Sequence, residues 1–511
     1  MNKALRQTPL FAAALLAGAC QPLGLAPFNY WPVAFLGLLS FAAILYYKPT
    51  LGFFRTSFAY GIGLYGVGVS WVFVSIHTYG NASVFLGVLL TTLFVVFLGF
   101  MFALPFWCWQ RFGRPSPQLF LRGFPALWAL NEAYRSWIFT GFPWLHIGYG
   151  HLETPLAGWA PVLGIFGLGF LLACCAVSLL ALIQTTLKQR LVAASLLIGI
   201  IAIGGLLAQK QWTQAAGPMK TVAMVQPNIP QEHKWDRDWL EPTYQRLVAQ
   251  SESLWRADWL IWPEAALPTV LSEAQPFIAT MAEQAQATQT ALVTGVITDQ
   301  INSENKNGRH FFVSRYFNSL VVVGQGSGLY HKQRLVPFGE YVPLEAQLRG
   351  LIQFFNLPMS VLHKGPSEQA PLMLSGTPIW PAVCYEIVYP DLIASGARQA
   401  QAILTVSNDA WFGESLAPIQ HLQMAQMRAL ETGRYVIRAT NNGISAIIDE
   451  RGKITASSKQ FVQATLEGEV QPRTGNTPFM SSGSAPILII CGLLLLGLGL
   501  ISRRKKAPAA E

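Results

Sequence analysis

Pro381-Ala382-Val383-Cys384-Tyr385-Glu386 is an apolar strand pattern that ends in a cysteine, with a carboxylate two places on. The other five cysteines, Cys20, Cys108, Cys174, Cys175 and Cys491, lie inside long apolar runs, so Cys384 alone stands in the polar part of the chain. In an oxidising compartment an isolated thiol is a poor structural choice, because it has no disulfide partner and is open to oxidation. A reactive thiol therefore competes here with a small buried hydrophobe, the role most free cysteines play. The rest of the chain has to separate the two.

Composition sets the class. Of 511 residues 52% are hydrophobic and only 12% charged, which excludes a single soluble domain. The net charge of +9 does not point to nucleic acid, since the basic residues sit beside apolar runs and not along one polar face. Eight runs approach the length of about 20 residues that a bilayer core requires. They are 9–28, 31–47, 52–76, 84–109, 124–147, 157–183, 190–207 and 485–501. The first, with Lys3 and Arg6 before it and Leu16-Ala17-Gly18-Ala19-Cys20 inside it, resembles a signal peptide, but the spans that follow at once favour a retained helix.

Flanking charges orient these spans. Lys3 and Arg6, then Lys48 and Arg55, then Arg111, Arg114 and Arg122, then Lys188 and Arg190, and finally Arg503, Arg504, Lys505 and Lys506 fall in every second connection. The short loops between carry no Lys or Arg, the bias expected of cytoplasmic versus outer loops. Both termini are then cytoplasmic, and residues 208–484 lie outside the cytoplasmic face of the membrane. The expected organisation is a transmembrane domain of seven helices over 1–215, an outer domain over 219–473, and a last helix with a basic tail over 484–511. Glu132 and Arg135, three apart on the fifth span, are either functional or a paired structural charge. The aromatic run Phe139-Thr140-Gly141-Phe142-Pro143-Trp144 beside them suits an outer interface and could frame a lipid entrance.

The outer segment alternates strands and helices. Strands are expected over 221–225, 259–262, 291–297, 319–323, 379–384, 402–407 and 445–448, and helices over 239–255, 273–287 and 419–432. Met424 and Met427 belong to the last helical stripe and read as core. Three strand ends carry chemistry. Leu260-Ile261-Trp262-Pro263-Glu264 leaves a carboxylate at a strand tip, Tyr330-His331-Lys332 supplies a cation, and the opening stretch supplies Cys384. Singly, these are a strand-end ion pair, a solvated charge and a core cysteine. Together they are a base, a cation and a nucleophile.

With those residues in place, the segment resembles the nitrilase superfamily of carbon–nitrogen hydrolases, whose Glu, Lys and Cys motifs occur in this order. The whole chain is similar to the apolipoprotein N-acyltransferase branch. The matching runs are Trp262-Pro263-Glu264, Lys332-Gln333-Arg334-Leu335-Val336-Pro337-Phe338-Gly339-Glu340, Cys384-Tyr385-Glu386 and Ser407-Asn408-Asp409-Ala410-Trp411-Phe412. The resemblance implies a multi-pass α-helical membrane domain joined to an extracytoplasmic α/β domain, a nitrilase-like α-β-β-α sandwich. It implies a catalytic triad of Glu264, Lys332 and Cys384, with Glu340, Tyr385, Glu386 and Trp235 in support. Glu340 and Glu386 would hold Lys332 charged and oriented, Tyr385 would shape an acyl pocket, and Trp235 would act as a lid. Plain packing behind the triad, and for Trp235 a surface aromatic at the membrane interface, are the alternatives. His421 invites a Cys–His pairing, which a carboxylate base for Cys384 makes unnecessary.

The apolar stretch 348–362 follows the Lys332 motif and would dip into lipid or guide an acyl chain. A free thiol is largely protonated at neutral pH and needs a base, here Glu264, while Lys332 and the Tyr385 N–H are candidates to stabilise the tetrahedral intermediate. The family implies that Cys384 takes an acyl chain from a membrane phospholipid, commonly phosphatidylethanolamine. It would then pass the chain to the α-amino group of a diacylated apolipoprotein. No metal or organic cofactor, no nucleic acid and no second subunit is implied. A membrane-tethered amidase and a non-enzymatic transporter or lipid-binding scaffold are the rival readings.

Overall fold

Uninterrupted Leu, Val, Phe and Ala runs form helices because nothing in them competes for backbone hydrogen bonds. The computed structural model describes residues 3–113, 115–306, 309–337, 339–341 and 362–504. Its contacts divide the chain into two units: Met1–Phe73 with Ser83–Gln211 and Ser482–Glu511, and Val74–Ala82 with Trp212–Ser481.

The first unit is helical: α1 Lys3–Cys20, α2 Trp31–Tyr47, α3 Phe53–Gly68, α4 Val84–Cys108, α5 Pro117–Trp137, α6 Ala160–Gln184 and α7 Leu187–Gln209, with a last helix at Ala485–Arg504. Its core is aromatic. Phe41 and Tyr60 lie 4.3 Å apart, Tyr60 stacks on Phe102 at 5.3 Å, and Phe106, Phe124 and Trp128 complete the cluster. A side chain on Gly18 would strike the backbone of Tyr60, and one on Gly63 the backbone of Leu15, so these two positions let α1 and α3 meet backbone to backbone. Leu187, Leu191, Ile198 and Leu206 of α7 point outward and stay exposed, as hydrocarbon-facing side chains would.

Among the described residues, four helices are long and apolar enough to cross a membrane: Val84–Gly113, Pro155–Gln184, Leu187–Gln209 and Ala485–Arg503. A fifth is gained if the bent pair Phe53–Gly68 and Val72–Tyr79 is one span. The runs at 9–28 and 31–47 form shorter apolar helices, Thr8–Gly24 and Trp31–Tyr47. The run expected at 124–147 is displaced. Ser116 caps the helix start, accepting from Leu119 N at 3.4 Å, and α5 stops at Trp137, where Phe139 (φ +51°) and Thr140 (φ +72°) leave helical space. Glu132 and Arg135 then serve the chain beyond the break. Ile147 N donates to Glu132 Oε1 at 3.0 Å, and Arg135 donates to Trp144 O at 3.4 Å. Two costly buried side chains thus satisfy the backbone of a non-helical segment.

The second unit is built from strands β1 Lys220–Gln226, β2 Trp259–Ile261, β3 Leu267–Val270, β4 Ala291–Lys306, β5 Arg309–Gly324, β6 Gly326–Ser327, β7 Leu329–His331, β8 Leu372–Leu374, β9 Thr377–Val383, β10 Ala402–Ser407, β11 Val436–Thr440, β12 Ala446–Ile448, β13 Ile454–Ser457 and β14 Ala464–Val470. One sheet runs β14-β1-β2-β4-β5-β7, with β3 also on β4; the other runs β13-β12-β11-β10-β9-β8-β6. Helices α8 Leu240–Ser251 and α9 Leu271–Ala287 cover the first sheet. Leu247, Ala274, Ile278 and Met281 close on Ala223, Val225, Leu260, Trp262, Leu292 and Val296 there. Helices α10 Pro390–Ala397 and α11 Ala417–Thr432 pack on the second sheet. The layers are α-β-β-α.

Connections set direction. β1, β2 and β4 pair in parallel because α8 and α9 return the chain between them, and β9, β10 and β11 do so through α10 and α11. β7 is antiparallel to β5 and β5 to β4, so β7 points the same way as β2. Glu264 and Lys332 therefore leave the first sheet at one edge, and Cys384 and Asn408 leave the second at the carboxyl ends of adjacent parallel strands. Gln226, at the end of β1, accepts from Ser445 Oγ at 2.7 Å and from Thr440 Oγ1 at 3.3 Å at the end of β11, which pins the two sheets at that edge.

Candidate active site

Cys384 follows β9 with φ +52°, a left-handed conformation that costs a non-glycine residue about 1–3 kcal/mol and persists only where the surroundings enforce it. The enforcement is visible. Glu386, fully buried two residues on, accepts Val383 N at 2.7 Å on one carboxylate oxygen. Its other oxygen accepts Gln333 N at 2.6 Å and Arg334 N at 3.1 Å, and Tyr330 Oη donates to both. Glu386 thus bolts the Cys384 turn to the residues immediately after Lys332. Burial pushes its carboxyl up to about 7, against those backbone donors and the Lys332 charge. Behind the turn, His421 Nε2 lies 3.2 Å from the Cys384 carbonyl oxygen and Nδ1 lies 3.2 Å from an Arg438 nitrogen. Arg438 can only donate, which makes Nδ1 the acceptor and Nε2–H the donor. His421 is a neutral support for the backbone of Cys384; the contact is with the carbonyl and not the sulfur.

Glu264 stands three residues past β2, followed by Ala265 at φ +44°. Trp262 anchors this turn by donating to Ser251 Oγ at 3.0 Å. The Glu264 carboxylate accepts Asn318 Nδ2 at 2.7 Å and Asn408 N at 2.7 Å and lies 3.5 Å from Lys332 Nζ. Lys332, 1% exposed, also reaches Glu340 at 2.8 and 2.9 Å. Glu340 in turn accepts Val336 N at 2.8 Å and Asn318 at 3.0 Å. Burial alone would lower the Lys332 pKa, but the Glu340 and then the Glu264 carboxylates outweigh it and hold the ammonium protonated far into the alkaline range. Lys332 is a fixed cation, with no capacity to act as a base at neutral pH.

The sulfur of Cys384 is in the field of both groups. Burial raises its pKa, the Glu264 carboxylate raises it further, and Lys332 only partly opposes them. At neutral pH it is a thiol. Ser407 Oγ lies 3.4 Å from the sulfur and 2.5 Å from Asp409 Oδ1, and Asp409 is ion-paired with Arg438. Burial works against the Asp409 carboxylate, but the Arg438 charge outweighs it and holds it well below the usual range, so it stays ionised. The single hydroxyl proton of Ser407 has two acceptors within reach, the Asp409 carboxylate and the Cys384 sulfur, and the carboxylate is the nearer.

The structure brings Glu264, Lys332, Cys384 and Glu340 into one constellation. Among the described residues no hydrogen bond or ion pair joins Glu386 to Lys332, whose charge it feels without contact; its oxygens are filled by backbone N–H groups and the Tyr330 hydroxyl, so it acts on the flanking backbone. Tyr385 is buried edge-on to Tyr389 at 5.4 Å. Trp235 is half-buried against Ile297, Leu335 and Leu362. The stretch 348–361 lies outside the described residues. Sequence reasoning missed Asn318, which holds both carboxylates, and gave no role to Ser407, Asn408 and Asp409. The signals were there: an asparagine heading an apolar strand, and a Ser-Asn-Asp run at a strand end. Among the described residues no His, Cys, Asp and Glu cluster could hold a metal ion.

Known proteins match nearly the whole chain. Residues 17–178 match the model of the apolipoprotein N-acyltransferase N-terminal domain, and residues 221–479 match that of carbon–nitrogen hydrolases. Proteins named apolipoprotein N-acyltransferase are 43% identical in Pseudomonas syringae pv. tomato, over 96% of both chains, and 45% identical in Azotobacter vinelandii, over 97% of this chain and 96% of that one. The one from Coxiella burnetii is 38% identical over 94% of this chain and 98% of its own. With both of its domains and nearly its full length matched, this chain belongs to the apolipoprotein N-acyltransferase family.

Proposed function

We propose that the chain transfers a fatty acyl group from a membrane phospholipid to the α-amino group of a diacylated apolipoprotein through a thioester on Cys384. Glu264 takes the thiol proton as the sulfur attacks the ester carbonyl. The tetrahedral oxyanion draws on the Lys332 charge and the Tyr385 N–H. The intermediate collapses, the ester C–O bond breaks, and Glu264 returns its proton to the departing lysophospholipid. The acceptor amine then attacks the thioester and gives up a proton to Glu264; the C–S bond breaks, Glu264 passes that proton to the departing sulfur, and an amide and the free thiol remain. The observation that carries this reading is the Glu264–Lys332 contact of 3.5 Å beside a strained Cys384 whose thiol stays protonated until a base acts on it.

The finer reading places eight spans in a bacterial inner membrane, with both termini cytoplasmic and the catalytic domain periplasmic. The alternation of basic loops supports it, and so do the exposed apolar faces of the long helices. The domain limits we adopt are 1–215, 219–473 and 484–511. Phosphatidylethanolamine is the donor and the working unit is a monomer. Purified protein in detergent, given phosphatidylethanolamine and a synthetic diacylated lipopeptide, should add one acyl chain to a free-amine peptide and none to its N-acetylated form. Release of free fatty acid without peptide acylation would favour hydrolysis and overturn the transferase reading.

A further inference from the structure

Lys234 lies outside the constellation described above, yet it is 4% exposed and its ammonium donates to the main-chain oxygen of Glu264 at 3.1 Å. That oxygen belongs to the turn that enters left-handed space at Ala265 and sets the direction of the Glu264 carboxylate. Beside it is a cavity of about 10 Å³, room for one water, lined by Lys234, Thr243, Asn441, Ala265 and Ala266. The Thr243 hydroxyl is buried and has no protein partner among the described residues, so a water in the cavity would serve both it and the lysine. The loop that carries Lys234 is fixed on its other side by Asn408, whose Nδ2 donates to Gln231 Oε1 at 2.7 Å while its N–H holds Glu264. A lysine is costly to bury, and here it is aimed at the backbone of the residue read as the base.

We propose that Lys234 is a second cation of this site, a positioning residue that fixes the turn carrying Glu264 and stabilises the negative charge shared by Glu264 and Cys384. The inference rests on the reading of Glu264 as the base for Cys384. The titratable groups acting on Lys234 are Glu264, from the turn after β2, and Cys384, from the turn after β9; the cavity adds only neutral Thr243 and Asn441. Burial lowers Lys234 to about 8, against the opposite pull of those two groups. Below that pH it is charged and supports the site. Above it the charge, and with it the support, is lost.

The test uses the full-length protein in detergent with dioleoyl phosphatidylethanolamine alone, following the initial rate of Cys384 acylation by intact mass from pH 6 to 10. Wild type should lose rate as pH rises through about 8. Lys234→Met should be slower at pH 7 by up to about 100-fold, the scale of a small misplacement of a reacting group, and should lack the descending limb. Lys234→Arg should keep the charge and carry the limb beyond pH 10. Wild-type rates in Lys234→Met, absence of the limb in wild type, or an unmoved limb in Lys234→Arg would each overturn the proposal. If Lys234→Met does not elute as a folded species, the position of the limb in wild type and Lys234→Arg decides alone. An adduct that survives Cys384→Ser would refute the Cys384 reading itself, a separate failure from that of Lys234.

Discussion

Cys384 joins a strained backbone to a thiol that holds its proton, so reactivity depends on a base and not on a standing thiolate. Iodoacetamide should therefore modify the resting protein slowly at pH 7, and Glu264→Gln should cut the acylation rate by about 100- to 10,000-fold, the range of general-base catalysis. Lys332→Met should be worse for stability than for geometry. It leaves Glu264 and Glu340 facing each other without their cation, and breaking a buried pair in this way costs about 3–5 kcal/mol, readable as a lower melting temperature. Glu386 makes a pH-dependent contribution. Its carboxyl is held near 7 in the folded chain, above the value of about 4.3 for a free side chain. The folded state binds that proton more tightly, so the stability it contributes is complete below about pH 4.3 and is lost as pH rises through about 7. Wild-type melting should fall across that window, and Glu386→Gln should not show this slope. The glutamine variant should also be less stable overall by about 1–3 kcal/mol, because its amide must point a donor at the N–H groups of Val383, Gln333 or Arg334.

At the scale of elements, the site depends on how closely strands approach the turns they support. Gly295, in β4, faces the Glu264 turn so tightly that an added Cβ would sit 2.5 Å from both Ala265 N and Pro263 O. Backbone atoms on a proline-anchored turn cannot swing aside, so Gly295→Ala should displace Glu264 and reduce acylation at least tenfold, on the order of a small misplacement of a reacting group, while circular dichroism stays unchanged. Such close approach was not legible in the sequence, where Gly295 is one more glycine in an apolar strand. The local signals that were legible are those with a period or a stop. Ala402–Ser407 is a strand as expected, and α8, α9 and α11 fall within a few residues of the expected helices except at the end of α8. β3, β6, β7, β8, β11, β13, β14 and α10 were missed. β7 and β8 are three residues each, too short to show a period, and β14 turns Ala464, Leu466, Gly468 and Val470 inward and exposes Thr465, Glu467 and Glu469, an alternation made faint by two small residues on its inward face. The triad candidates were readable because each sits where an apolar strand stops at a charged or nucleophilic side chain. Asn318 was not, because its role as a bridge between Glu264 and Glu340 exists only once residues 54 and 22 positions away converge.

The chain contains a helical unit of apolar faces and a second unit with two large sheets whose chemistry gathers at one edge. Eight spans were expected from hydropathy; among the described residues four helices meet the length and composition of a span on their own, because three of the apolar runs are shortened or broken, and α5 spends its charges on backbone beyond its end. The orientation can be read in cells. In a Cys384→Ser background, Lys453→Cys should react with a membrane-impermeant maleimide once the outer membrane is permeabilised, and Arg503→Cys only after lysis; the reverse pattern would invert the topology. The central claim is that Cys384 carries the acyl chain between donor and acceptor. Intact mass spectrometry of the full-length protein after incubation with phospholipid alone addresses it most directly. The account predicts a mass increase of one acyl chain, absent in Cys384→Ser, removed by hydroxylamine and discharged by a diacylated lipopeptide. Acylation of the lipopeptide at full rate by a Cys384→Ser protein, with no adduct on the wild type, would contradict it.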